Sequence, residues 1–355
     1  MNPLLPIQTW LDDHPDLQHW LYNLVPLLVV VGIALALKRS LRQPLWAEAY
    51  RRIRRQPKAL AAIAVIGLYG LVAFCDSLGT YDAKSQERVT VLDRICSPLR
   101  EKERYYSAPF AKTTTGEAFP KPIKGVHVLG TDGKGDDVLY RTLKGARTAF
   151  VIGGLTSLLT IPVGIVLGLL AGFYSGTRFK WVDDLITYVY TVVSSIPSIL
   201  LQIAFVMVLG KAIVNICIAL GMARWVGLCR QVRGETLRHR EREYVRGARA
   251  LGVSTWGVLT RHILPNLLPT VIIYTTLGVS GLILSEAILS YLGVGVDSSA
   301  GSWGNMINAA RDELAREPII WWNLSAAFIA MLGIVMAFNI LGDALRDAID
   351  PRLRS

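Results

Sequence analysis

Five stretches of this chain contain no charged side chain: residues 59–75, 148–177, 185–210, 266–285 and 318–342. No other feature constrains the fold so tightly. A helix of about 20 apolar residues crosses the ~30 Å hydrocarbon core of a bilayer. In lipid every backbone N–H and C=O must find a partner within the protein, which such helices provide. Two shorter runs, 21–37 and 212–223, join the five, and the second reaches Leu228 if Arg224 snorkels outward to a headgroup layer. The expectation is seven spans, over 21–37, 59–75, 148–172, 185–210, 212–229, 267–290 and 319–342. Composition agrees: 52% of the residues are hydrophobic and 18% charged, where a soluble domain carries roughly 25% charged residues. The fold class that follows is all-α, a polytopic membrane protein.

Lysine and arginine gather in short cytoplasmic loops. Segments 38–58, 173–184, 230–266 and the C-terminus hold eight, two, eight and three of them. The short segments that alternate with these hold three, Lys211, Arg311 and Arg316. The C-terminus is therefore expected in the cytoplasm and the acidic “LDDHPDLQHW” near the N-terminus outside. Residues 76–147 carry thirteen, but a loop of that length is largely exempt from the rule. The net charge of +11 is then a topology signal more than a nucleic-acid-binding one. Acidic residues before the 21–37 run and basic residues after it reverse the pattern of a cleaved signal peptide, so a membrane anchor is expected there. Cys75, Cys96, Cys217 and Cys229 show no metal-ligand spacing. Cys75 and Cys96 either pair across the base of the outer loop or stay independent.

Between the spans, 41–58 (“LRQPLWAEAYRRIRRQPK”) sets Leu45, Trp46, Ala49, Tyr50 and Ile53 on one helical face with arginines around the other. That pattern suits a helix lying in the membrane interface, started by Pro44 and ended by Pro57. Residues 76–147 are polar and rich in turn formers, with no helix or strand period, and read as an irregular loop or a small cap. “GTDGKGDD” (130–137) lacks the Lys-Ser/Thr pair of a phosphate loop, so no ATP site is expected in it. Gly164, Gly168 and Gly172 recur every fourth position in the third span, a stripe that lets another helix approach closely. Helix packing and a substrate groove both fit it. Glu286, near Ser280, Ser285 and Ser290, is a carboxylate in a span: either part of a translocation path or a structural group hydrogen-bonded to a neighbouring helix. His14, His19, His127, His239 and His262 all fall outside the spans, and there is no HExxH. Hydrolytic chemistry has no support.

The stretch “EYVRGARALGVSTWGVLTRHILPN”, Glu243–Asn266, is long and arginine-rich for a link between two spans. Arg238 to Leu251 is dense in helix formers, and Gly252 is placed to end that helix. Ser254 is placed to cap a second helix over 255–263, with Pro265 to stop it. Two helices with a bend would jut from the cytoplasmic face. Leu251, Val253, Val258 and Leu259 would give them an apolar knuckle among arginines, suited to docking in a partner's groove.

“ALG” ending in Gly252, followed thirteen positions later by the proline of “ILPN”, resembles the EAA signature of permease subunits in bacterial ABC importers. The family's Glu-Ala-Ala positions fall on Arg246, Gly247 and Ala248, and only the last matches. “WAEAYRRIRRQPKALAAIAVIG” is similar to the N-terminal interfacial helix and first span of the dipeptide/oligopeptide/nickel branch. “LGTDGKGDDVLYRTLKGARTAF” resembles that branch's outer-loop motif, with Asp136 where an arginine is usual. “SEAILSYLGVG” with “SWGNMI”, and “LGDALRDAIDPRLR” (341–354), resemble the region of its fifth span and its C-terminus. The resemblance covers about 46–354 and is nearest to the second permease of the pair. The 21–37 span and the 76–126 insert have no counterpart in the usual six-span pattern; the long insert resembles that of permeases importing modified peptides.

The resemblance implies a type I ABC importer transmembrane fold, six core helices plus one extra N-terminal helix. The organisation is then 1–40, an extra transmembrane segment; 41–58, the interfacial helix; 59–75, the first core span; 76–147, a periplasmic insert; 148–343, the core with its coupling loop at 230–265; and 344–355, a cytoplasmic tail. It implies that Arg246, Gly247, Ala248, Leu251, Gly252, Val253 and Pro265 couple the chain to an ATPase. It further implies a non-catalytic subunit of the bacterial inner membrane that binds no cofactor, with ATP and Mg held by two partner ATPases. A homologous permease and a solute-binding protein complete the set. Two other classes remain: an ion-coupled secondary transporter built on Glu286, and a membrane scaffold with no path.

Overall fold

Helices dominate the computed structural model, which describes residues 15–40, 42, 44–82, 87–103, 105–115, 119–298 and 300–349. The elements run in order α1 (Pro15–Ser40), α2 (Pro44–Ile53), α3 (Pro57–Ser77), β1 (Gly79–Asp82), β2 (Glu87–Thr90), α4 (Val91–Ile95), α5 (Val138–Tyr174), α6 (Lys180–Ser195), α7 (Ser198–Leu209), α8 (Ile213–Arg240), α9 (Glu243–Ala250), α10 (Thr255–Tyr291), α11 (Trp303–Glu313) and α12 (Trp322–Ile349). Six helices among the described residues are long and apolar enough to cross a bilayer: α1, α3, α5, α8, α10 and α12. The α6–α7 pair makes a seventh if its two halves form one span. Part of the acidic N-terminal stretch and the end of the C-terminal motif, 350–355, lie outside the described residues.

The span expected over 185–210 is not straight. It breaks between α6 and α7, which meet at 88°. Pro197 has no N–H to give and pushes the preceding Ile196 out of helical geometry, to ψ 129°. The interfacial helix is also shorter than expected. It ends at Ile53 with Ala49 and Ile53 buried, and Pro57 opens α3 where a stop to α2 was expected.

Two compact units make up the chain: residues up to Phe150 with 299–333, and Val151–Ser298 with residues from Ile334 onward. In the first, the segment after α3 is more ordered than its composition suggests. β1 pairs antiparallel with β2, Gly79 opposite Thr90. The Asn23 side chain of α1 clasps this hairpin, donating to the Gly79 carbonyl at 2.7 Å and accepting the Gly79 N–H at 3.0 Å. Thr90 and Asp93 form a reciprocal capping box at the start of α4. Asp93 also accepts the Tyr140 hydroxyl at 2.5 Å and lies 3.0 Å from the Lys144 ammonium. Burial works to raise the Asp93 pKa, but hydrogen bonds from Tyr140, the Thr90 N–H and Lys144 outweigh it and hold the group at about 2. Further along, the Asp132 carboxylate gathers the N–H groups of Lys134 and Asp136 and pairs with Arg141. Trp322 and Trp303 pin α12 and α11 to this unit through indole hydrogen bonds to the carbonyls of Thr131 and Thr142. The four cysteines are all free thiols; Cys75 and Cys96 are not joined.

The second unit holds the rest of α5, then α6 to α10 and the last turns of α12. In it α5 and α8 approach closely. A Cβ on Gly164 would meet Leu228 at 2.8 Å; on Gly168, Cys229 and Val232 at 2.7 Å; on Gly172, Thr236 at 2.6 Å. Only hydrogen fits at these three positions, which let the backbones of α5 and α8 approach. Asp183 of α6 grips Arg233 of α8 with two hydrogen bonds of 2.7 and 2.8 Å, fixing the α6–α8 register.

Candidate functional site

The segment expected to form a bent pair of helices does so, with different boundaries. α8 continues to Arg240, and α9 begins only at Glu243. Arg240 ties this corner down: its guanidinium reaches the carbonyls of Gly172, Phe173 and Ser175 at the C-terminal end of α5. Those carbonyls have no partner inside their helix, and a cation there also meets the negative end of the helix dipole. Arg249 stacks over the Phe173 ring at 4.7 Å.

The bend after α9 is a Schellman closure. The Gly252 N–H reaches the Arg249 carbonyl at 3.0 Å, and the Val253 N–H reaches the Ala248 carbonyl at 3.1 Å. Gly252 itself has φ +79°, the left-handed region that glycine occupies without strain. Ser254 then caps the next turn, accepting the Gly257 N–H. Pro265 does not stop a second helix. Residues Val258–Ile263 are wound as a π-helix, and the chain runs on from Thr255 to Tyr291 as one helix. The wider turn, in which the Leu264 N–H reaches back to Leu259, places Pro265 where no donor is needed.

The apolar knuckle is also rearranged. Val258, Leu259 and Ile263 are buried, joined with Val245 to Leu169, Phe173, Leu228 and Val232 in one core cluster, against which Val253 packs. The exposed apolar tip is instead Leu251, 86% exposed, and Trp256, 67% exposed. Val258 and Leu259, expected at the knuckle, turn inward instead, because the π-wound stretch they open packs against α5 and α8. Of the remaining expected residues, Ala248 is buried in the hairpin, Gly247 faces open space, and Arg246 pairs with Glu241 at 2.9 Å. That hydrogen bond from Arg246 lowers the Glu241 pKa, whereas burial raises that of Tyr244. Trp256 and Arg240 were missed at the level of sequence. A tryptophan two residues after a capping serine is a signal that could have found the first; nothing local marks the second.

Within the span part of α8, Arg224 does not snorkel outward. Its guanidinium turns toward α10 and donates to the Gly278 carbonyl. It lines a notch with Ser157, Thr160, Tyr274 and Thr275, and Gly278 and Gly281 supply the room it lies in. Glu286, also on α10, is buried and accepts the Ser290 hydroxyl at 2.7 Å; Ser290 in turn accepts the Val296 N–H at 3.3 Å. This carboxylate is thus tied into the turn that follows α10.

Comparison with known proteins places the chain in a family. Residues 164–355 match the family described as binding-protein-dependent transport system inner membrane component. The chain is 33% identical to the glutathione transport system permease protein GsiD of Pectobacterium atrosepticum, over 89% of this chain and 94% of that protein. It is 31% identical to the dipeptide transport system permease protein DppC of Alkalihalophilus pseudofirmus, over 87% and 91%. It is 33% identical to the oligopeptide transport system permease protein OppC of Bacillus subtilis, over 89% and 92%. A solved structure of the MetNI methionine ABC transporter in inward-facing conformation aligns with a TM-score of 0.45 at 18% identity, covering 59% of this chain and 94% of that one. The chain is a multi-pass membrane protein that belongs to the family of binding-protein-dependent transport system inner membrane components, the permeases of ABC importers.

Proposed function

We propose that this chain is one permease half of an ATP-driven peptide importer in a bacterial inner membrane. It pairs with a homologous permease above two ATPase subunits and receives cargo from a solute-binding protein outside. The N-terminus lies outside and the C-terminus in the cytoplasm, a reading supported by the lysine and arginine distribution. The chain performs no chemistry and binds no cofactor; ATP and Mg belong to the ATPases. Energy enters as motion through the α9–α10 hairpin. Closure of the ATPases shifts the hairpin, and the helices rooted in it repack between outward- and inward-facing states. Such coupling needs contacts that differ between the two states.

The observation that carries this reading is an exposed tip on a rigid root. Leu251 and Trp256 project from a hairpin whose other face is sealed into α5 and α8. Two large apolar side chains held in water by a well-packed support suit an anchor for a groove on another protein. Arg246, Gly247, Ala248, Gly252 and Val253 shape and flank that tip, and Pro265 marks where α10 resumes its ordinary winding. Glu286 serves the turn after α10, not an ion path.

The test is a doubly changed tip, Leu251→Asp with Trp256→Ala. Both side chains are exposed, so insertion and folding are expected to survive. Co-purification of the ATPases and ATP-driven uptake in proteoliposomes should both be lost. Unchanged uptake by this variant would remove the hairpin from the coupling path.

A further inference from the structure

Arg224 lies eleven residues into α8, about 16 Å along it, roughly half the thickness of a bilayer's hydrocarbon core. A guanidinium at that depth is costly to hold in a span unless something pairs with it. Among the described residues it has no carboxylate partner; its one hydrogen bond goes to the Gly278 carbonyl. A neutral amide or hydroxyl would serve that carbonyl without bringing a charge into the span, so holding α8 to α10 does not account for an arginine.

Its surroundings are built to keep it there. A Cβ on Gly278 would meet the guanidinium at 2.9 Å and one on Gly281 at 3.0 Å, so two glycines one turn apart on α10 form its bed. The notch beside it is lined on α5 by Ser157 and Thr160 and on α10 by Tyr274 and Thr275. The Thr160 and Thr275 hydroxyls already donate within their own helices. The Ser157 and Tyr274 hydroxyls have no hydrogen-bond partner among the described residues. A planar cation with donors to spare and two free hydroxyls match the lone pairs of a carboxylate. The cavity measures about 20 Å³, which admits a group the size of a water molecule or two and not a whole peptide.

We propose that Arg224, with Ser157 and Tyr274, is a station within the membrane for the carboxylate of the cargo as it passes through the permease. This rests on the peptide-importer reading above and deepens it: the ligand class is the carboxylate end of a peptide. Arg224 supplies the counter-charge and the fork, and the hydroxyls complete the shell. A peptide whose terminal carboxylate is blocked as an amide gains nothing here.

The experiment uses the purified importer complex, without its binding protein, and reads binding of millimolar trialanine by saturation-transfer NMR. Trialanine should bind the wild type and trialanine amide should not compete. Arg224→Gln should abolish that binding while the subunit composition stays unchanged, and Arg224→Lys should restore part of it. Tyr274→Phe, which keeps the ring and removes one donor, should weaken binding about ten- to a hundredfold, the scale of one charged-group hydrogen bond. Equal binding of trialanine by wild type and Arg224→Gln overturns the proposal, as does equal competition by the amide. Loss of the second permease from Arg224→Gln also overturns it, since the counter-charge would then come from that subunit. The parent reading fails separately, if the wild-type complex with its binding protein takes up no trialanine when driven by ATP.

Discussion

Replacing Gly252 tests the hairpin most cleanly, because strain and crowding separate there. At φ +79° a residue with a Cβ carries about 1–2 kcal/mol of backbone strain. No atom lies within 4 Å of the Cβ position, so the cost is conformational alone. The chain can relieve it only by opening the closure after α9, which forfeits the Gly252–Arg249 and Val253–Ala248 backbone hydrogen bonds at about 1 kcal/mol each. Either route makes the native tip less populated by about 1–2 kcal/mol, and 1.4 kcal/mol is roughly a tenfold change in an equilibrium. Asparagine tolerates the left-handed region, alanine less so, and a β-branched side chain least. Uptake per ATP hydrolysed, measured in proteoliposomes, is therefore expected to fall in the order Gly252, Gly252→Asn, Gly252→Ala, Gly252→Val. The alanine variant should lose about five- to thirtyfold in affinity for the ATPases. Gly234→Ala is the control. That glycine sits inside α8 with no atom within 4 Å of its Cβ position, so the same added methyl favours its helix by about 0.5–1 kcal/mol. A valine variant that couples as well as wild type, or an alanine variant that outperforms asparagine, would refute the reasoning.

Other consequences are checkable by stability alone. Gly168→Leu drives a side chain into Cys229 and Val232, whose atoms lie 2.7 Å from the Cβ position, and should destabilise the α5–α8 contact by about 1–3 kcal/mol, seen as a lower melting temperature in detergent. Asp183→Asn leaves the Arg233 guanidinium without its partner and should cost about 2–3 kcal/mol, the low side because Arg233 keeps some water contact; adding Arg233→Met should recover most of the loss. The Asp93 pKa is depressed to about 2 in the folded state, against 3.8 ordinarily. Its contribution, about 2 kcal/mol, is complete above pH 4 and drains away as pH falls from there toward 2. Limited proteolysis of the 79–137 segment should accelerate over that window, and Asp93→Asn should be susceptible already at neutral pH.

The long apolar runs were legible because lipid imposes one local rule on every residue of a span. What lay beyond that rule depended on partners distant in sequence. Pro26, Pro162 and Pro269 sit inside continuous helices while Pro197 breaks one, so the proline itself does not announce the 88° bend. The strands β1 and β2 are four residues each, too short for an alternation to register. The capping box at Thr90 and Asp93 was the sign available in that region. In the hairpin, Gly252 and Ser254 were readable because helix ends have local chemistry. Which residues faced outward was not, since a π turn in Val258–Ile263 alters the period on which any helical wheel relies. Arg224 was assigned outward on the rule that charge seeks water. Its actual bed consists of two glycines on another helix, a juxtaposition that no reading of α8 alone contains.

The hairpin and the notch are joined by shared side chains. Leu228 belongs to the core that supports the hairpin and also lines the notch; Ile161 and Tyr274 pack against that core and line the notch as well. Along α10, Tyr274 lies eleven residues past Ile263, about 16 Å by helical rise. A movement of the tip that keeps Val258, Leu259 and Ile263 packed has to carry α10 with it, because the π stretch leaves no break between them. Displacing α10 relative to α8 changes the distance from Gly278 and Tyr274 to Arg224, so the shape of the anion station follows the position of the hairpin. Close packing permits discrete rearrangements and resists gradual ones. The two α10 glycines against Arg224 and the three α5 glycines against α8 are the places where such a rearrangement meets least bulk. On the proposed reading, a permease arranged in this way would grip its cargo in one packing and release it in the other, with the ATPase setting which packing prevails.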